Sequence, residues 1–268
     1  MQFGMPTLIE NKDLEETALI CRELGLDFIE LNMNLPQYQV ECLSKTDEFL
    51  KIAEKYGIFY TIHLDENLNF CDFNRAVSKA YSDTVKRTID IAKRLGVPVL
   101  NMHMNKGVYF TLPDKKIYLF DKYNTNYMAD IKAFKELCSE AIGDGDIKIS
   151  IENTDGYMEY EKTAIECLLQ SEVFTLTWDI GHSHTVKNMD EPFILKHAER
   201  LMHFHLHDAA GKRNHLTLGS GEIDLNERLT IAQKYGCRCV IETKTVEALK
   251  ESVQYMESGK GLHIRMRA

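Results

Sequence analysis

No run of about 18 apolar residues occurs in this sequence, so no helix within it is expected to cross a bilayer. The opening MQFGMPTLIEN has no basic segment ahead of an apolar one. A secretory signal is therefore not expected, and the cytoplasm is the expected location. Seven cysteines, at 21, 42, 71, 138, 167, 237 and 239, are odd in number and form no C-x-x-C pair. That argues against a disulfide framework and against a thiolate zinc site. Positive charge is scarce: 32 Lys and Arg face 41 Asp and Glu, a formal net charge of −9. Such a chain lacks the cationic field that neutralises phosphates, so neither nucleic acid nor a membrane surface is an expected partner.

What is present is ordinary globular composition, 44% hydrophobic and 27% charged over 268 residues. Short β-like runs cover 2–7, 28–33, 60–65, 99–104, 148–153, 174–179, 202–207 and 237–243. Helical patterns lie near 13–24, 41–56, 73–95, 126–142, 160–171, 191–200, 225–235 and 244–258. Gly25, Gly57, Gly96 and Gly236 each close a helical stretch before the next strand, where a C-terminal cap belongs. Eight βα units without an internal linker imply an α/β fold, a single-domain (β/α)8 TIM barrel over 1–258, with a polar peripheral tail at 259–268. The rival is an open doubly wound sheet, whose glycine-rich phosphate loop after the first strand is missing here.

Barrels of this kind build their sites at the C-terminal ends of the strands. Strands three to eight end in His63, His103, Glu152, Asp179, His205 and Glu242. Any one of these, read alone, is a hydrogen-bonded polar residue at a strand end. Six in succession are not, because burying converging carboxylates and imidazoles costs several kcal/mol per ion unless a cation compensates. His with Asp and Glu, and no Cys, suits one or two divalent ions such as Zn, Mn, Co or Mg. His182 follows Gly181 just past strand six, and His215 lies in the loop GKRNHLTLGSGEID after strand seven. His207 shares a strand face with His205, one step further out.

The ordered segments ISIEN (149–153), TWDIGH (177–182), FHLHD (204–208), HLTLGSGEID (215–224) and VIET (240–243) resemble the xylose-isomerase-like barrel superfamily. That group includes sugar (phosphate) isomerases and epimerases, and endonuclease IV-type repair nucleases. The resemblance implies that Glu152, Asp179, His205 and Glu242 match the metal quartet of the ketose 3-epimerases, with Glu152 and Glu242 also catalytic. It implies that His182 binds substrate, and that His63, His103, His182 and His215 match additional zinc positions in the nucleases. Arg213 and His207 are assigned to substrate binding. The nuclease triplet Asp-Arg-His is replaced here by Arg213-Asn214-His215, which removes an acidic ligand of a third ion.

The expected activity is metal-dependent isomerisation or epimerisation of a small sugar or sugar-like hydroxycarbonyl compound, by proton transfer through an enediolate at the metal. The alternatives are an endonuclease IV-like multi-zinc hydrolase on abasic DNA and a barrel that binds a metabolite without turnover. The segment 105–126 carries Tyr109, Phe110, Tyr118, Phe120 and Tyr123 and reads either as a lid or as a contact between subunits of a homo-oligomer. Lys115 and Lys116 at its tip read as a solvated turn.

Overall fold

The computed structural model describes residues 1–259. Eight strands form a closed barrel: β1 Gln2–Pro6, β2 Phe28–Asn32, β3 Phe59–His63, β4 Val99–His103, β5 Lys148–Glu152, β6 Phe174–Asp179, β7 Leu201–Leu206 and β8 Arg238–Ile241. Every neighbouring pair is parallel, and the ring closes where Gln2 of β1 faces Arg238 of β8. Parallel neighbours need a long crossover, usually a helix. The crossovers carry α1 Leu14–Glu23, α2 Thr46–Tyr56, α3 Arg75–Leu95, α4 Asn124–Ile142, α5 Glu159–Leu168, α6 Glu191–Lys196 and α7 Leu225–Lys234, and α8 Val246–Glu257 follows β8. The chain is thus a single (β/α)8 barrel. The tail expected at 259–268 lies outside the described residues apart from Gly259. Among the described residues no helix is long and apolar enough to cross a membrane.

Local chemistry sets the helix ends. Asp13, Asn74, Asp224 and Thr245 accept backbone N–H groups of the first turns of α1, α3, α7 and α8. Gly57 and Gly96 end α2 and α3 in the left-handed region, and Gly25 and Gly236 take positive φ just after α1 and α7. An L side chain would be strained at these four positions. Some boundaries differ from the sequence pattern. The helix expected at 41–56 is broken into Val40–Leu43 and α2, and a short helix Ile180–Thr185 follows β6 directly.

The barrel interior is polar. Alternation along β5 turns Ile149 and Ile151 outward into the buried apolar shell and Ser150 and Glu152 inward. Thr177 of β6 donates to Asn101 Oδ1 of β4 at 2.6 Å and lies 2.7 Å from Ser150 Oγ. Asn101 Nδ2 in turn donates to Glu152. Glu30 of β2 accepts from Thr61 of β3 and lies 3.1 Å from His203 Nε2 of β7. β2 and β7 are not neighbours, so that contact crosses the inside of the barrel.

Candidate metal centre

Strand ends bring the site together. His63, His103, Glu152 and Asp179 are the last residues of β3, β4, β5 and β6, His205 is the penultimate residue of β7, and Glu242 follows β8. The runs expected to reach 207 and 243 stop at Leu206 and Ile241, so His207 and Glu242 sit one residue beyond their strands. In a barrel, aligned strand ends become a ring of side chains at one rim.

Glu152, 1% exposed, is the hub. Its Oε1 lies 3.2 Å from His205 Nδ1 and 3.7 Å from His182 Nδ1. Its Oε2 lies 3.3 Å from His63 Nε2 and 3.1 Å from His103 Nε2. At the same nitrogen of His205, Glu242 Oε2 comes within 2.9 Å of Nδ1, while Asp179 Oδ2 is 3.9 Å away. The donor atoms of Glu152, Asp179, His205 and Glu242 lie within 4.8 Å of one another, and so do those of His63, His103 and Glu152. Glu152 therefore faces two groups of ligands, one through each oxygen.

The charges are balanced by proximity. Burial pushes the Glu152 carboxyl up, but His205 and His103 outweigh it and hold it well below the usual carboxylate range. Glu242 is likewise raised by burial and pulled well below by His205, His215 and Lys244. Burial drives His63 toward the neutral ring, yet Glu152 beside it lifts its pKa to about 9. His205 is lowered by burial and raised far more by Glu152, Glu30 and Glu242. The acids around His63 and His205 thus favour their protonated rings, and a cation taking the same place would displace those protons.

The atoms fit such a cation. His205 Nδ1, His103 Nε2 and Glu242 Oε2 are buried without a hydrogen-bond partner, although charged atoms stand about 3 Å away. The contacts between them are short but not aligned as hydrogen bonds. A divalent ion satisfies that geometry, and a network of hydrogen bonds would not produce it.

A cavity of about 440 Å³ opens above these groups, lined by His63, His103, Glu152, His182, His215 and Glu242, with Glu66, Thr154 and Lys244 at its edge. A larger groove of about 610 Å³ on the outer surface, lined by residues such as Lys12, Tyr38 and Phe49, has no converging ligands among the described residues. Converging candidate ligands line the smaller one. His182 Nδ1 is 3.4 Å from Asp179 Oδ2, and His215 Nε2 is 3.5 Å from Glu242 Oε1.

Three expectations meet a different placement. Arg213 is exposed on the hairpin Asp208–Ala210/Arg213–Leu216 and does not line the cavity, because that hairpin turns its end outward while delivering His215 inward. His207 lies against Asp179 and not in the cavity wall. The 105–126 segment contains a small hairpin, Tyr109–Thr111 with Lys116–Tyr118, none of whose residues lines the cavity. Phe120 is buried on Tyr127, and Tyr118 packs on Tyr160; Tyr109, Phe110 and Tyr123 are exposed, as are Lys115 and Lys116.

Two residues escaped the sequence reading. Glu30, buried in the middle of β2, lies behind His205, with Oε1 2.8 Å from Nε2. Lys244, whose ammonium sits 2.8 Å from Glu242 Oε1, is the cation at the cavity edge. Its position two residues after Glu242 was the available signal, since alternate residues share a face.

Comparison with known proteins agrees with this architecture. The family model described as xylose isomerase-like TIM barrel matches residues 19–259. An uncharacterized protein of Methanocaldococcus jannaschii is 27% identical over 242 residues, covering 84% of this chain and 85% of its own. The crystal structure of a D-tagatose 3-epimerase-like protein has a TM-score of 0.77 at 22% identity, over 96% of each chain. That of 3-keto-D-glucoside 4-epimerase from E. coli, in apo form, has a TM-score of 0.75 at 12% identity, over 96% of this chain and 99% of its own. At these identities the two structures establish a shared fold.

Proposed function

The chain belongs to the xylose isomerase-like TIM barrel family, and on that premise we propose that it is a divalent-metal-dependent isomerase or epimerase of a small sugar-like hydroxycarbonyl compound. The observation that carries this reading is the placement of Glu152 and Glu242 on either side of His205 Nδ1, at 3.2 and 2.9 Å, beneath one cavity. The names of the two similar structures support it. A 3-keto-glucoside 4-epimerase inverts a carbon next to a ketone, and so does a 3-epimerase of a 2-ketose such as tagatose. A carbon in that position has an acidified C–H bond, which two facing carboxylates are suited to exchange.

Glu152, Asp179, His205 and Glu242 would hold the ion, which when bound supplies a Lewis acid for the substrate carbonyl and its neighbouring hydroxyl. One glutamate would remove the proton from the carbon between those groups, and the other, having taken up a proton from solvent, would deliver that proton to the opposite face. Against the opposing effect of burial, His205 foremost, then His215 and Lys244, keep Glu242 anionic. His182 and His215, half-buried at the cavity wall, are placed to hydrogen-bond the substrate hydroxyls.

One observation favours a second reading, multi-zinc hydrolysis of phosphodiesters. His63, His103 and Glu152 form a further group of ligands. With ions in both groups, each oxygen of Glu152 would be committed and neither left free for a proton. The −9 charge and the loss of an acidic ligand at the position held by Arg213 weigh against it. Metal stoichiometry combined with product labelling in deuterated water, over a panel of ketoses, inososes and their phosphates, tests the pair. Incorporation of deuterium at the reacting carbon supports the epimerase; two or more tightly held ions with phosphodiester cleavage and no exchange overturns it.

A further inference from the structure

The two nitrogens of the His207 ring are both engaged, and neither faces the cavity. Nε2 lies 3.0 Å from Asp179 Oδ2 and 2.9 Å from Oδ1. Nδ1 receives the backbone N–H of His215 at 2.8 Å. Accepting that N–H requires Nδ1 to be unprotonated, so the ring proton sits on Nε2 and donates to Asp179. A competing partner for Nδ1, the Asp208 carbonyl, is 3.4 Å away and yields to the shorter contact.

The ring is clamped on both faces. On one side it packs against Gly181, where a Cβ would fall 1.9 Å from His207 Cε1. On the other it stacks on the His215 ring, with centroids 4.2 Å apart and planes 13° apart. His215 itself takes φ 55°, a left-handed conformation that non-glycine residues adopt only under constraint. The loop that imposes it is pinned by Asp208, whose carboxylate accepts from the N–H groups of Gly219, Gly221 and Ile223. A ring so held has no lone pair to offer an ion, although His182, His207 and His215 lie close enough together to suggest one.

We propose that His207 is a positioning residue, which fixes the Asp179 carboxylate for the cation site and couples it to the loop that carries His215. This rests on the metal-dependent reading of the quartet. It makes Gly181 part of the same device, because only glycine there leaves room for the ring.

Two substitutions separate the roles. His207→Gln places an amide N–H near the Nε2 position and keeps the donor to Asp179. His207→Asn places a carbonyl near the Nδ1 position, keeps the acceptor for His215 and loses the donor. Co²⁺ affinity, measured by competition with a chelator, should fall about 10–100-fold in His207→Asn, the usual loss when such an outer partner goes, and stay within about threefold in His207→Gln. Gly181→Ala should weaken Co²⁺ binding as His207→Asn does. Long-range ¹H–¹⁵N spectra of the metal-free wild type, which need no variant, should show the His207 ring donating through Nε2 and accepting at Nδ1. A proton on Nδ1, equal affinity of His207→Asn and wild type, or Co²⁺ bound directly through His207 would overturn the proposal. Wild type that binds no divalent ion would instead sink the metal-dependent reading, while the tautomer would still test the hydrogen-bond chain.

Discussion

Glu30 Oε1 stands 2.8 Å from His205 Nε2, on the opposite edge of the ring from the carboxylates of the site. His205 therefore sits between buried acids, with Glu30 below it and Glu152 and Glu242 at its other nitrogen. His205 Nε2 has no in-line hydrogen bond, so the contact is electrostatic in the metal-free molecule. A small rotation of the ring would align it. Carboxylates placed behind a ligating imidazole raise its basicity and fix its orientation.

Removing that carboxylate should be costly. Glu30→Ala leaves His203 without its acid and His205 without the one at Nε2, and should destabilise the metal-free protein by about 3–5 kcal/mol, the range for breaking a buried pair. Urea unfolding monitored by circular dichroism measures it. A cost below about 1 kcal/mol would mean that the pair contributes no more than an exposed one.

Reconstitution after chelator dialysis should load at least one divalent ion per chain. Trp178, the only tryptophan, directly precedes Asp179 and is fully buried, so its fluorescence is a convenient reporter. Asp179→Asn and His205→Ala should abolish tight binding. If a second ion binds, a His63→Ala/His103→Ala double variant should remove that ion alone. Elemental analysis of the same samples gives the count.

Glu152→Gln and Glu242→Gln keep volume and polarity, so the fold should persist. Each should lose on the order of 10²–10⁴ in rate, the contribution of a positioned acid or base. Metal occupancy must be measured alongside, since both residues are ligands. Turnover at full occupancy without label from deuterated water would replace proton transfer by a hydride shift.

Cleavage of abasic-site DNA near physiological salt should be negligible, given the −9 charge and the missing acidic residue at Arg213. Incision that vanishes in Glu152→Gln would promote the hydrolase reading.

A separate pH effect should arise at Glu161. Burial raises its carboxyl from 4.5 to about 7, although the Met158 N–H and Lys106 oppose the shift. The folded state holds this proton more tightly than the unfolded one. Stability should therefore fall as pH climbs from about 4.5 to 7, by up to about 3 kcal/mol. Glu161→Gln keeps an acceptor for Met158 and should be more stable than wild type at pH 8, but equal to it at pH 4. Unchanged unfolding free energy at pH 8 would rule this out.

The barrel and its rim were legible because both rest on periodicity. Apolar β-like runs alternate with helical patterns, and His63, His103, Glu152 and Asp179 each close a strand after apolar neighbours. Glu30 was not legible in this way: FIELN reads as a buried strand, and its partner His205 lies far along the chain. Arg213 misled because a hairpin with an irregular register between Asp208 and Ala210 decides which side chains face inward, and no spacing rule reports it. The helix Ile180–Thr185 was hidden because it starts on the strand's last residue, with Asp179 acting both as its N-cap, accepting from the His182 N–H, and as a member of the quartet.

The column running from Glu152 through Asn101 to Thr177 and Ser150 limits how this scaffold can diversify. In a barrel filled with aliphatic layers, one side chain can be exchanged for another of similar volume at small cost. Here Asn101 donates to Glu152 and accepts from Thr177, which in turn meets Ser150, so altering one member orphans another. Substitutions on the inner strand faces must come in compatible sets, whereas Glu66, Thr154 and Lys244 stand in loops free of that bond chain. New substrates are therefore most readily acquired by editing the rim while the floor is inherited intact.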